Sequence, residues 1–365
     1  MPLKELMDNP HSDRVKRICA IKHIKSHENL KFLVEGPQSV REAVRYASDF
    51  ICDIYALDDA VYALGSLDSL GSLDYPDSSD NIAGCYVSNA ANSNSSSAIS
   101  SANTSTNTST NTSANTSTIT SDTENISTNT STISSANTSA ITSIVRESLG
   151  KQCYVHPVTS DVMKKISTDS QGIVAVLDVN SLEDSYESDI KNLEDCAKKS
   201  SKTLRIAACW QVRDPGNAGA IIRVADVAGC DAVVFVDDCV NLQNPKLVRS
   251  TAGSLFHLPV ITMSESEWFD WASSAGVKII AADIYGTKNR KPKDFPLVVK
   301  DSELMKSSLA VLFGNEARGL NEEILNKVDE ISIIPIYGKA ESMNLATSAA
   351  VMLMGLAMSS HERKM

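Results

Sequence analysis

The chain has 365 residues, of which 42% are hydrophobic and 22% charged, with a formal net charge of −11. That length accommodates about two domains at ~100–200 residues each, and no apolar run reaches the ~18 residues of a membrane span. The opening MPLKELMDNPHSDRVKR lacks an apolar core, so no secretory signal is expected, and the eight cysteines show no CxxC or zinc-type spacing. They read as reduced thiols of a cytoplasmic protein, many of them buried, with no metal site.

Residues 12–25 have helical spacing, with Val15, Ile18 and Cys19 inward and Arg14, Lys16, Arg17, Lys22 and Lys25 outward. That face is either solvated or turned toward RNA. His23 and His27 stand four apart, but without an acidic partner at HExxH spacing they read as surface histidines. A strand is expected from Phe32 to Gly36, a helix over 38–48 and a second strand from Ile51 to Leu57. Residues 50–88 carry seven acidic and no basic side chains, whereas residues 1–49 are locally basic. An acidic total weighs against nucleic-acid binding, and a basic N-terminal part keeps it possible.

From about Asn89 to Ser143 nearly every residue is Ser, Thr, Asn or Ala, with NTST units repeating. So few apolar groups cannot offset chain entropy, which predicts a disordered insert over about 65–143, looped out of a first domain spanning 1–178. Structure is expected to resume at Ile144, with a strand at Cys153–Val155, a helix at Ser160–Ile166 and a strand at Gly172–Leu177. Residues 179–202 are polar and read as a linker to a second domain, 203–365.

That domain alternates strands and helices. Strands are expected at Arg205–Trp210 and Asp231–Val236, and helices at Ala218–Ala228 and Pro245–Ser254. Further αβ units fall at 264–283 and 308–334. The pattern predicts an α/β fold with a mostly parallel sheet covered on both faces. Its last strands, at Val311–Phe313 and Ile331–Ile334, run into Gly314-Asn315-Glu316 and Gly338-Lys339-Ala340-Glu341-Ser342. Ligands bind at such strand ends in open α/β sheets. Gly314 and Gly319 have P-loop spacing, but Leu320-Asn321 stand where Lys-Ser/Thr is needed, and no GxGxxG joins a strand to a helix. After these loops the residues become small and apolar at helical spacing, with Asn344 or Ser342 placed as the N-cap.

Three segments taken together resemble the SpoU (TrmH-like) family of RNA ribose 2'-O-methyltransferases, in the SPOUT superfamily. They are DPGNAGAIIRVADVAG, LFGNEARGL and IPIYGKAESMNLATSAA. RSTAGSLFHLP at 249–259 is similar to a further family segment, with Ser254 where alanine is usual, and RVKRICAIKHIKSHENLKFLVEGPQSVREA and TDSQGIVAVL at 168–177, outside the insert, resemble the L30e-like substrate-binding domain that precedes some catalytic domains. The resemblance implies a C-terminal trefoil knot, a homodimer with its site at the interface, and S-adenosylmethionine as methyl donor. It places Asn217, Arg223, Glu316, Ser342 and Asn344 at catalytic positions. The cofactor would be held through the backbone of Gly314, Ile334 and Met343, where leucine is common at the last.

The substrate implied is RNA, in the first instance a guanosine of 23S ribosomal RNA. A tRNA methyltransferase or a catalytically inactive RNA-binding protein is the alternative. The family account makes the arginine the base. A guanidinium stays protonated, so phosphate clamping by Arg223, with Glu316 orienting Arg223 or Asn217, is physically easier. Alone, Glu316-Arg318 would read as a surface ion pair, and Ser342 and Asn344 as caps.

Overall fold

The structure is a computed structural model that describes residues 2–22, 31–68, 125–199 and 202–360. His23, His27, Lys25 and most of the Ser/Thr/Asn-rich insert lie outside the described residues.

The N-terminal part runs α1 (Asp13–Ile21), β1 (Lys31–Glu35), α2 (Pro37–Tyr46), β2 (Ile51–Leu57) and α3 (Asp58–Asp68). It continues with α4 (Asn125–Gly150), β3 (Val155–Val158), α5 (Ser160–Ile166) and β4 (Ile173–Asp178). Its four strands form one mixed sheet in the order β1-β4-β2-β3. β4 lies antiparallel to both β1 and β2, and β3 pairs parallel with β2. Ser12 starts α1 by accepting the Val15 N–H, and Pro37 at the first turn of α2 gives up a donor that has no helical partner there.

Two expectations are corrected here. Residues 125–143, expected to be disordered, belong to α4. Ile141, Ile144, Val145 and Ser148 recur at helical spacing and are all buried against the first sheet's core. A few well-spaced apolar groups outweigh the poor helix propensity of the Ser/Thr/Asn around them, because tertiary burial overrides propensity. Residues 179–202 are largely the helix α6 (Val179–Lys198), capped by Asp178, which accepts from the Ser181 N–H. Val179, Leu182, Tyr186 and Ile190 form its buried stripe, hidden in the sequence by the charged residues between them.

The C-terminal part begins with β5 (Arg205–Trp210), α7 (Pro215–Val227), β6 (Ala232–Val236), α8 (Pro245–Ser250) and β7 (Val260–Met263). It continues with α9 (Glu265–Ser274), β8 (Lys278–Ala282), β9 (Lys293–Asp294), α10 (Phe295–Val298) and α11 (Ser302–Lys306), then β10 (Leu309–Phe313), α12 (Glu322–Lys327), β11 (Glu330–Ile333) and α13 (Leu345–Ser360). The expected helix at 245–254 stops at Ser250. Gly253 takes a left-handed φ of 100° and a short 3-10 turn follows at Ser254–Phe256.

Seven strands make one sheet in the order β7-β6-β5-β10-β8-β11-β9, with every pair parallel. Side chains alternate between its two faces as the pleat requires. Ala207, Cys209, Val311 and Phe313 point into a core shared with α7 and α13. Ile206, Ala208, Trp210, Ala310 and Leu312 point into a second core with Trp268, Trp271, Ile324 and Leu325. Both faces are covered, so all strand ends of one polarity meet at a single edge, where only loops cover them.

Candidate active site

Phe313 ends β10 and the chain turns at once through Gly314-Asn315-Glu316. A Cβ on Gly314 would fall 2.6 Å from the carbonyl carbon of Gly319 and 2.8 Å from the Leu320 nitrogen. Only glycine lets the loop fold back this closely. Asn315, buried, ties the turn down: its Nδ2 donates to the Gln211 carbonyl at 2.7 Å, and its Oδ1 accepts the N–H groups of Ala317 at 3.0 Å and Arg318 at 3.2 Å.

This turn aims Glu316 at the start of α7. Its carboxylate accepts the backbone N–H of Arg213 at 3.3 Å, that of Asp214 at 3.1 Å and Nδ2 of Asn217 at 3.3 Å. Asp214 caps the same helix by accepting the Asn217 N–H at 2.8 Å. That bond, helped by Lys246, holds the Asp214 carboxyl below the usual carboxylate range. Two carboxylates thus face the positive end of the α7 dipole. In the same motif, a Cβ on Gly219 would fall 1.8 Å from Ser250 Oγ, so this glycine packs α7 against α8.

The third segment joins through Asn344. Its Nδ2 donates to Asn217 Oδ1 at 3.0 Å, and its Oδ1 accepts the Thr347 N–H at 3.2 Å, capping α13. Glu316, Asn217 and Asn344 therefore form a single hydrogen-bonded row across three segments far apart in sequence. Glu316 is bonded to the start of α7, and the Arg318 guanidinium donates to Gln211 Oε1 at 3.3 Å instead of pairing with it.

Beside this row lies a cleft of about 700 Å³ lined by residues following β8, β10 and β11. Gly314, Ile334, Ser342, Met343, Asn344, Glu316 and Asn217 all line it. Arg223 does not. It is exposed on α7 and has no polar partner among the described residues. The sequence reading missed the third wall, Ala282 to Gly286, where Asp283 Oδ1 accepts the N–H groups of Tyr285 at 2.8 Å and Gly286 at 2.6 Å. The end of β8 was its only signal. Below the site, burial pushes the Cys209 thiol well up and that of Cys239 to about 11, so neither supplies a thiolate near neutral pH.

A family model described as the SpoU rRNA Methylase family matches residues 205–354. The chain is 37% identical over 142 residues to the 23S rRNA (guanosine(2553)-2'-O)-methyltransferase RlmP of Bacillus subtilis, covering 39% of this chain and 53% of that protein. It is 35% identical over 143 residues to the 23S rRNA (uridine(2479)-2'-O)-methyltransferase of Streptomyces viridochromogenes, covering 38% and 47%. The chain thus spans about half the length of these curated relatives. Among solved structures, the AdoMet-bound rRNA methyltransferase from Sinorhizobium meliloti aligns with a TM-score of 0.60 at 19% identity, over 98% of both chains. The SpoU methyltransferase AviRb from Streptomyces viridochromogenes in complex with AdoMet aligns at 0.56 and 16% identity, over 95% of this chain and 98% of that one. These two likenesses show a shared fold that includes the N-terminal part. The segment 205–354, with its parallel sheet and its row of Asn217, Glu316 and Asn344, is a domain of the SpoU rRNA Methylase family.

Proposed function

We propose that this chain is a cytoplasmic, S-adenosylmethionine-dependent RNA (ribose-2'-O)-methyltransferase that acts on ribosomal RNA, with a guanosine of 23S rRNA as the leading target. The observation that carries the proposal is the Glu316–Asn217–Asn344 row lining the cleft. Its support in the comparisons is the pair of 23S rRNA methyltransferases among the relatives.

The cleft fits the cofactor. Its volume of about 700 Å³ lies within the ~300–1,000 Å³ of small-molecule sites. Gly314, Ile334 and Met343 line it, and the tight return at Gly314 leaves no room there for a side chain. When bound, S-adenosylmethionine supplies an electrophilic methyl group. The chain's part is to align a 2'-hydroxyl, hold the neighbouring phosphate and assist the loss of the hydroxyl proton. Asn217, Ser342 and Asn344 orient the hydroxyl. Glu316 is already engaged by three N–H donors, so its role is to hold Asn217 and the start of α7 in place.

Arg223 lies outside its own cleft, so in this reading a homodimer delivers it. The arginine of one copy clamps the phosphate at the cleft of the other. Val227 on α7 is 68% exposed and Met358 on α13, which packs against α7, is 69% exposed, so each helix keeps a bare apolar side chain for a second copy to cover. Calorimetry with S-adenosylmethionine in the presence of EDTA tests the proposal. Metal-independent binding is expected, and folded protein that binds none overturns it.

A further inference from the structure

We infer that Tyr337 and Tyr285 form a stacking platform for unpaired RNA bases beside the reacting nucleotide. The inference rests on the RNA-modifying reading above and adds where the substrate's bases lie. Its observation is a juxtaposition. β8 and β11 are neighbours in the sheet, parallel, with Ala282 opposite Ser332. Tyr285 follows Ala282 and Tyr337 follows Ser332 by a few residues each, so both loops leave the same edge from adjacent strands; Tyr285 lines the cleft, and Tyr337 adjoins Ile336, which lines it.

Both rings face solvent. Tyr337 is 94% exposed and Tyr285 73%, the highest values for any large hydrophobic side chain among the described residues. A tyrosine left this bare forgoes the burial that normally places its ring. Two of them on neighbouring loops at one sheet edge call for a flat partner. The turn under Tyr285 is fixed by the two N–H bonds to Asp283, so the ring is presented on a rigid support.

The surroundings favour nucleic acid over a purely apolar ligand. Lys339 lies two residues beyond Tyr337, and Lys288 three beyond Tyr285. Both lysines are exposed and make no ion pair among the described residues, leaving them available to phosphates. Glu341 and Glu316 line the same cleft, so charge alone does not make the site. RNA is read largely through unstacked bases laid on aromatic faces, and that contact tolerates any base because each has a π-face. For bases drawn out of their own stacks beside the reacting ribose, these rings replace the stacking that is lost.

The test compares wild type with Tyr337→Ala, Tyr337→Phe, Tyr337→Leu and Tyr285→Ala in the full chain. Three quantities are read: Kd for an unmodified 23S rRNA transcript without cofactor, kcat and KM for methyl transfer, and molecular mass by light scattering. Tyr337→Ala should weaken RNA binding and raise KM about five-fold or more, given ~1–3 kcal/mol per stacked base. Phe should restore both and Leu should not, with cofactor affinity and mass unchanged. Equal binding by wild type and Ala, full rescue by Leu, or a halved mass would each overturn the inference, the last by making the rings contacts between copies. A wild type that binds RNA through Tyr337 yet transfers no methyl group would leave the platform standing and sink the enzymatic reading instead.

Discussion

Two polar clusters in this molecule are both built around a glutamate and obey different physics. At the cleft, Glu316, Asn217 and Asn344 touch through bonds of 3.0–3.3 Å, with Glu316 and Asn344 exposed to solvent. At the junction of the two sheets, Glu35 has a side chain only 1% exposed and pairs with Lys22 at 2.5 Å and with Arg249. Nearby, His257 bridges Asp226 at 2.8 Å and Glu42 at 3.2 Å. Water can replace a lost partner at the cleft, so those contacts matter little to folding and much to placing a substrate. Glu35 is shut away from solvent, so an unpaired carboxylate there carries its full desolvation penalty. The segment 249–259 therefore docks the two parts of the chain, while the three other family segments build the cleft.

The largest expected effects lie on the cleft side. Asn217→Ala should cut single-turnover methyl transfer about 10²-fold or more, as loss of a positioning group does, with thermal midpoint and cofactor affinity nearly unchanged. A midpoint that falls with activity would erase the contrast between the clusters. Arg223→Ala should abolish turnover, and Arg223→Lys should recover little because it lacks the planar fork. If Arg223 acts across copies, mixing Arg223→Ala with Glu316→Gln after reversible dissociation should restore about a quarter of wild-type activity, from the one intact cleft of each mixed dimer. No recovery would place the arginine elsewhere.

The buried side should respond in stability. Ile141→Ala empties a side chain 1% exposed in the first core and should cost ~2–5 kcal/mol, read from urea unfolding. Replacing residues 89–124 by a short Gly/Ser linker should leave the midpoint nearly unchanged. Extending that deletion through 143 should lower it sharply, because Ile141 and Thr142 then leave the core.

Arg249→Ala should cost less, about 1–3 kcal/mol, since Lys22 still faces Glu35. The effect carries a pH signature. Burial raises the Glu35 pKa, but hydrogen bonds from Lys22, Ser167 and Arg249 outweigh it, so the folded value lies below the usual carboxylate range. Stability from this group is complete above that range and is lost as the pH falls through the folded value. The gap between wild type and Arg249→Ala should therefore shrink on acidification. A gap that widened would contradict the assignment.

Much of this was legible in the sequence, for identifiable reasons. Arg205–Trp210 and Ile51–Leu57 are apolar runs bounded by turn residues, and they form strands over those same bounds. Asn217, Glu316 and Asn344 were legible through their motifs, and the structure brings them together. α4 was hidden because its buried residues are few and sit in a Ser/Thr/Asn background. α6 was hidden because charged and polar residues separate the four members of its buried stripe. The wall at Asp283–Tyr285 had no motif: only the pairing of β8 between β10 and β11 puts it beside the cleft. Arg223 shows the converse, since its motif was plain and its distance from the cleft was not.

The central claim, that this chain methylates ribose in RNA, is tested most directly by mapping 2'-O-methyl groups across ribosomal and transfer RNA from cells with and without the gene. Loss of a methyl group at one position of 23S rRNA, restored by the wild-type gene and not by the Asn217→Ala form, is the predicted result. Loss at a tRNA position would move the substrate. An unchanged methylation map in both RNA classes would contradict the account.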